Sequence, residues 1–271
     1  MTSSSFSAKI HDTLGPANSP VRLLLINPNS TLHFTQETVS YLSTRLPSGV
    51  RIDFYTPPSD APPSIDGTFD GVLSAAVILN DLGLDSRDTA DSDDDAADNA
   101  SFVSRAYSAV IVSCFSAHPL VPALQERLPF NPKKPPVIGI LEAAVHYGLL
   151  LGPTFGIATT GRQWEPLFDE AIRSLGISPS RYAGTRGTGF NAISLHGEGP
   201  ASALLEASVE LVSRGARVIV LGCAGMAPMR ASIESSLRER TGRGVPVIDG
   251  VQAAVDLGIA FARMGLSAPE A

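Results

Sequence analysis

Val137-Ile-Gly-Ile-Leu-Glu-Ala-Ala-Val-His-Tyr-Gly-Leu149 aligns without a gap on Val247-Ile-Asp-Gly-Val-Gln-Ala-Ala-Val-Asp-Leu-Gly-Ile259. Working backward by almost the same interval from each copy reaches Val110-Ile-Val-Ser-Cys114 and Ile219-Val-Leu-Gly-Cys223. Each copy thus holds an apolar strand, a cysteine at its carboxyl end, a helix, and a second strand preceded by Pro136 or Pro246. The starts of the halves also correspond, because Leu25-Ile-Asn-Pro-Asn-Ser-Thr31 and Ile157-Ala-Thr-Thr-Gly161 both place small polar residues after a strand. This is the pattern of a duplicated domain.

Outward from the repeat, short apolar runs alternate with amphipathic stretches, which predicts an α/β fold with parallel sheets. The strands are read at 22–26, 50–55, 109–113, 137–140, 155–159, 218–221 and 245–248. Helical spacing of apolar residues marks 35–46, 120–128, 165–175, 201–214 and 251–264. The expected architecture is two similar lobes related by a pseudo-twofold axis, with an active site in the cleft between them. The first lobe is read as 21–152, with a possible return of the chain near its C-terminus, and the second as 153–271. Residues 1–20, rich in Ser with Gly, Pro and Asn, read as a disordered tail. An acidic block at 85–98 reads as a solvated insertion, since it lacks the Gly and final Glu of a calcium loop.

The 271 residues are 44% hydrophobic, enough for a sizeable core. A net charge of -7 with scattered Lys and Arg argues against nucleic acid and anionic membranes as partners. No segment approaches the ~20 apolar residues of a membrane-spanning helix, and no secretory signal is evident. The expected location is therefore cytoplasmic, with Cys114 and Cys223 kept as thiols. Two cysteines cannot build a structural zinc site unless histidines stand at ligand spacing, and His118, His146 and His196 show no such pattern.

In open parallel sheets, ligands bind beyond the carboxyl ends of the strands, where both cysteines lie. If equivalent strand ends converge, the thiols oppose each other. Inverting a carbon stereocentre needs that arrangement, one group removing a proton from one face and another delivering a proton to the opposite face. A thiol, with an ordinary pKa of about 8.5, can serve as acid or base when a helix N-terminus favours its thiolate. Helices are expected to begin near Pro119 and Met226, offering N–H groups to a thiolate and to an enolate oxygen. Ser116 either lines the pocket of Cys114 or caps the next helix. His118 is either a surface residue before Pro119 or a group that tunes the thiol or touches substrate. Phe115 could stack on a flat ring or belong to the core, and Glu142 is read as orienting backbone groups at the next helix start or as touching the ligand.

The chain resembles the hydantoin racemase branch of the aspartate/glutamate racemase superfamily, which includes allantoin racemases and fungal-type relatives. The resemblance spans about 21–264 and rests on Ile26-Asn-Pro-Asn-Ser-Thr31, Ser113-Cys-Phe-Ser-Ala-His-Pro-Leu120, Gly139-Ile-Leu-Glu-Ala-Ala144 and Leu221-Gly-Cys-Ala-Gly-Met226. Many hydantoin racemases carry Asp-Pro-Gly after the first cysteine motif, where this chain reads Ala117-His118-Pro119-Leu120. The resemblance implies a racemase of 5-substituted hydantoins or a cyclic ureide such as allantoin, working without metal, pyridoxal phosphate or nucleotide, and assembled as a homo-oligomer. It implies Cys114 and Cys223 as the catalytic pair. Asn29, Thr159, Thr160, Ala224 and Gly225, with Phe115, Ser116 and His118, are the expected substrate-binding residues, with turn or helix-entrance capping as the other reading of Asn29 and the two threonines. Other cysteine-dependent activities of the superfamily stay open, namely amino-acid racemisation, maleate isomerisation and malonate decarboxylation, as does a non-catalytic sensor of small molecules.

Overall fold

The computed structural model describes residues 6–85, 95–130, 133–195 and 198–269, excepting the side chains of 95–98 and 198. Nine strands and nine α-helices alternate through the described residues. The first half runs β1 (Ile10–Leu14), β2 (Val21–Ile26), α1 (Leu32–Ser43), β3 (Val50–Tyr55), α2 (Thr68–Asp81), α3 (Asp95–Ala106), β4 (Ala109–Val112), α4 (Leu120–Arg127), β5 (Val137–Gly139) and α5 (Ile140–Leu151). The second runs β6 (Phe155–Thr159), α6 (Trp164–Ser174), β7 (Tyr182–Gly187), α7 (Glu198–Ser213), β8 (Val218–Leu221), α8 (Arg230–Thr241), β9 (Val247–Asp249) and α9 (Gly250–Met264).

The sheets repeat one another strand for strand. One has the order β1-β3-β2-β4-β5 and the other β7-β6-β8-β9, so the second reproduces the first without its extra antiparallel edge strand. All other pairings are parallel. Equivalence extends to single hydrogen bonds. Val110 N donates to Pro136 O at 3.0 Å and Ile219 N to Pro246 O at 2.9 Å. The central strands are continuous apolar runs because helices cover both faces of a parallel sheet. Leu23, Leu25, Ile111, Ile157, Val220 and Leu221 are all fully buried.

The chain forms two compact units, and neither is a continuous half. Unit one comprises 1–113, 118–139 and 255–271; unit two comprises 114–117 and 140–254. The expected boundary near residue 152 is thus displaced, and the C-terminal segment belongs to unit one. The reason lies in the helices after the last strand of each repeat. Helix α5 packs on the second sheet, where Gly148 lets it approach Phe155 Cβ and Val220 Cγ2, each 3.5 Å from the position a Cβ would take. The equivalent Gly258 of α9 sits over the first sheet, 3.3 Å from Leu23 Cδ2 and 3.4 Å from Ala109 Cβ on the same measure.

The expected disordered tail is corrected from residue 6 onward. Ile10–Leu14 pairs antiparallel with β3, and Phe6 is buried with its ring centroid 5.3 Å from Phe102 and 6.3 Å from Tyr107. An edge strand of mixed polarity, with burial on neither face complete, carries no apolar run to announce it. The acidic block at 85–98 falls largely outside the described residues, as does His196; its last four positions open α3. Among the described residues, no helix is long and apolar enough to cross a membrane.

Candidate active site

The loop carrying the first cysteine leaves β4 under tight backbone control. Ser113 N donates to Ile26 O at 2.8 Å, fixing the exit of the strand, and Ser116 N donates to Cys114 O at 3.0 Å. Cys114 is half-buried, with its Sγ 3.3 Å from the buried Ser116 Oγ. Ser116 therefore does not cap the next helix, which starts behind Pro119 with no side-chain cap. Phe115 is buried and meets Phe168 edge-on at 5.2 Å, while Trp164 stacks on Phe168 at 5.1 Å. This aromatic anchor explains why 114–117 belongs to unit two although β4 belongs to unit one. The Phe115 ring thus packs within unit two.

The second cysteine loop repeats the first. Gly222 N donates to Ala158 O at 2.8 Å, the counterpart of the Ser113 bond. The buried Thr159 hydroxyl donates to Gly222 O at 2.8 Å, so its hydrogen is spent on the backbone next to Cys223. A Cβ at Gly222 would lie 2.7 Å from Thr159 Cβ and 2.9 Å from Ile157 Cγ2, which excludes any larger residue without movement. Cys223 is half-buried and extended (φ -158°, ψ 138°) at the head of a 3-10 turn, Ala224–Met229. Met226 N donates to Cys223 O at 3.1 Å. The N–H groups of Ala224 and Gly225, first in that turn, have no partner within it. An α-helix beginning near Met226 was expected. Pro228 interrupts it, and α8 begins only at Arg230.

The remaining candidates divide by how their polar atoms are used. Asn29 Oδ1 accepts from Thr31 N at 3.0 Å and from Asn27 Nδ2 at 3.3 Å, closing the turn after β2. Asn29 Nδ2 makes no hydrogen bond among the described residues. Thr160 is buried, and its carbonyl accepts from Gly189 N and Thr188 Oγ1, while its hydroxyl has no partner among the described residues. His118 is 2% exposed, not a surface residue. Its Nδ1 accepts from Leu120 N at 3.2 Å, and its Nε2 is buried without a partner among the described residues. Burial holds its pKa down at about 4, so the imidazole is neutral at physiological pH.

Glu142, read from sequence as a backbone organiser or a ligand contact, opens α5. Its carbonyl lies 2.7 Å from His146 Nδ1, but its Oε2 is buried with no partner among the described residues, and burial raises its pKa. Among the described residues no group of three or more His, Cys, Asp or Glu could hold a metal ion. A cavity of about 710 Å³ in unit two is lined by Arg162, Glu165, Arg186, Thr188, Glu206 and Glu210 among others, and by none of the candidate residues. Its charges are largely matched internally, Arg186 to Glu165 and Glu210 at 3.2 and 2.7 Å, and Glu206 to Arg240 at 2.8 Å.

Cys114 and Cys223 thus follow equivalent strands of the two sheets, β4 and β8. The family profile described as Asp/Glu/Hydantoin racemase matches residues 23–258. An uncharacterized protein of Schizosaccharomyces pombe is 34% identical over 250 residues, covering 91% of this chain and 94% of that protein. A hydantoin racemase of Paenarthrobacter aurescens is 27% identical over 256 residues, covering 93% and 95%. Among solved structures, allantoin racemase from Klebsiella pneumoniae superposes with a TM-score of 0.74 at 26% identity, covering 92% of this chain and 90% of its own. Allantoin racemase from Pseudomonas fluorescens gives 0.70 at 28%, covering 92% and 94%. The chain belongs to the Asp/Glu/hydantoin racemase family and is an isomerase of the racemase type, acting on a small molecule.

Proposed function

We propose that this racemase acts on a 5-substituted hydantoin or a related cyclic ureide such as allantoin, by two-base proton transfer through Cys114 and Cys223. The observation that carries the reading is the matched construction of the two cysteine loops. Each follows a strand whose exit is held by a 2.8 Å bond to the neighbouring strand, and both loops fall in the same compact unit. The relatives named hydantoin and allantoin racemase support the substrate class.

In the proposed reaction a thiolate takes the proton from the stereocentre next to a ring carbonyl. The C–H electron pair becomes the enolate, and the second cysteine delivers its thiol proton to the opposite face. One thiol and one thiolate exchange roles, and no atom is gained or lost. Backbone N–H groups of Ala224 and Gly225 serve the enolate oxygen in this scheme. Asn29 and Thr160 retain the ring-binding roles, since each keeps a polar atom uncommitted. Thr159 and Phe115 are reassigned to holding the two loops. Ser116 supports the Cys114 sulfur.

A circular-dichroism screen tests the proposal, using enantiopure hydantoins, allantoin, aspartate and glutamate as substrates. Loss of ellipticity with a ureide is expected. Turnover confined to aspartate or glutamate would overturn the assignment.

A further inference from the structure

His118 is the buried titratable group that the proton-transfer scheme leaves unused. Its Nδ1 is an acceptor for Leu120 N, and that bond selects the neutral tautomer with the hydrogen on Nε2. The Nε2–H is buried and meets no acceptor among the described residues. Native proteins rarely bury a donor in this way, because removing it from water without a partner costs stability.

The ring meets a helix of its own unit. Helix α2 passes over it at Gly71, where a Cβ would lie 3.9 Å from His118 Cδ2 and 3.3 Å from Pro119 Cδ. Farther along α2, Ser74 Oγ donates to Pro28 O, so one helix braces both the β2 turn and the His118 segment. Strands β2 and β4 are parallel neighbours, so these segments leave adjacent strand ends. The first holds Asn29, whose Nδ2 hydrogens are also uncommitted. Unit one therefore presents two uncharged N–H donors after adjacent strands.

We infer that His118 is a specificity-determining residue whose Nε2–H takes a carbonyl oxygen of an uncharged ring substrate. This rests on the ureide reading above. An uncharged donor satisfies a neutral carbonyl oxygen, whereas a carboxylate is better served by a cation or by several donors. The depressed basicity of His118 keeps it uncharged throughout the neutral range, which supports this choice. Amino-acid α-carboxylates are disfavoured on the same ground.

The test compares full-length wild type, His118→Leu and His118→Gln by racemisation of an enantiopure 5-substituted hydantoin and by calorimetric binding of unsubstituted hydantoin. His118→Leu should weaken binding and raise KM about tenfold or more, the loss of one hydrogen bond, with Tm equal to or above wild type. His118→Gln, which keeps a terminal N–H, should recover most of the binding. A purely structural histidine would give the reverse, a lowered Tm with hydantoin binding unchanged. That result, or wild-type affinity in a folded His118→Leu, overturns the inference while wild type remains active. Wild type without ureide turnover or hydantoin binding would instead overturn the functional reading and this inference with it.

Discussion

The hydroxyl of Thr159 donates a 2.8 Å hydrogen bond to the carbonyl of Gly222, tying the end of β6 to the residue before Cys223. Thr159 is fully buried, and Gly222 leaves no room for a side chain against it. The catalytic candidate is thereby held through its backbone.

That bond sets the first prediction. Gly222→Ala forces a Cβ into Thr159 and should cost about 1–3 kcal/mol of stability, the usual penalty of overpacking. Thr159→Val keeps the shape but strands the Gly222 carbonyl, at a cost of about 1–3 kcal/mol. Denaturant unfolding measures both. In folded protein, both variants should lower kcat more than they raise KM, because they displace Cys223.

Ser116 should support the reactivity of Cys114. With its Oγ 3.3 Å from Sγ, the hydroxyl can donate to a thiolate. In a Cys223→Ala background, Ser116→Ala should slow alkylation of Cys114 by iodoacetamide several-fold at neutral pH. An unchanged rate would remove Ser116 from the mechanism.

Acid stability should report His118. Its folded pKa is about 4, against 6.5 for the ordinary side chain. As pH falls below about 6.5 the unfolded chain takes up a proton that the folded chain refuses until about 4, so stability declines across that window. The loss of stability due to His118 on going from above the window to below it is on the order of 3 kcal/mol. Urea unfolding from pH 7 to 4.5 should show a shallower decline in His118→Leu than in wild type.

Phe6 should behave as a core residue although it stands near the start of the sequence. It is 1% exposed against Phe102 and Tyr107, so Phe6→Ala should cost about 3–5 kcal/mol. Stability within 0.5 kcal/mol of wild type would contradict the observed packing.

The duplication was legible because strand, cysteine and helix recur in register, and the sheet orders repeat accordingly. The buried central strands were read from their apolar runs. Strands β1 and β7 were not, because edge strands are only half covered: Tyr182-Ala-Gly-Thr-Arg-Gly187 has one buried residue, Thr185, and a glycine at φ 101°. The reassignment of α5 to the second sheet was also hidden, since its residues are apolar around most of the helix and do not name the sheet they face. At the candidate site, the repeat pointed to Cys114 and Cys223, which follow equivalent strands. The hydrogen bond of Thr159 to Gly222 was not legible, because a threonine at a strand end reads alike whether it meets a ligand or a carbonyl. The buried state of His118 depends on α2, a helix that sequence periodicity did not mark.

The most direct test of two opposed thiols is solvent deuterium exchange into each enantiomer of a hydantoin by Cys114→Ala and Cys223→Ala. Both variants should lose racemisation, since full inversion needs both proton transfers. The surviving thiol can still remove and return a proton on its own face. Each variant should therefore incorporate deuterium into one enantiomer with retention, and the two should prefer opposite enantiomers. Racemisation at the parent rate by either folded variant, or equal exchange of the same enantiomer by both, would contradict the account.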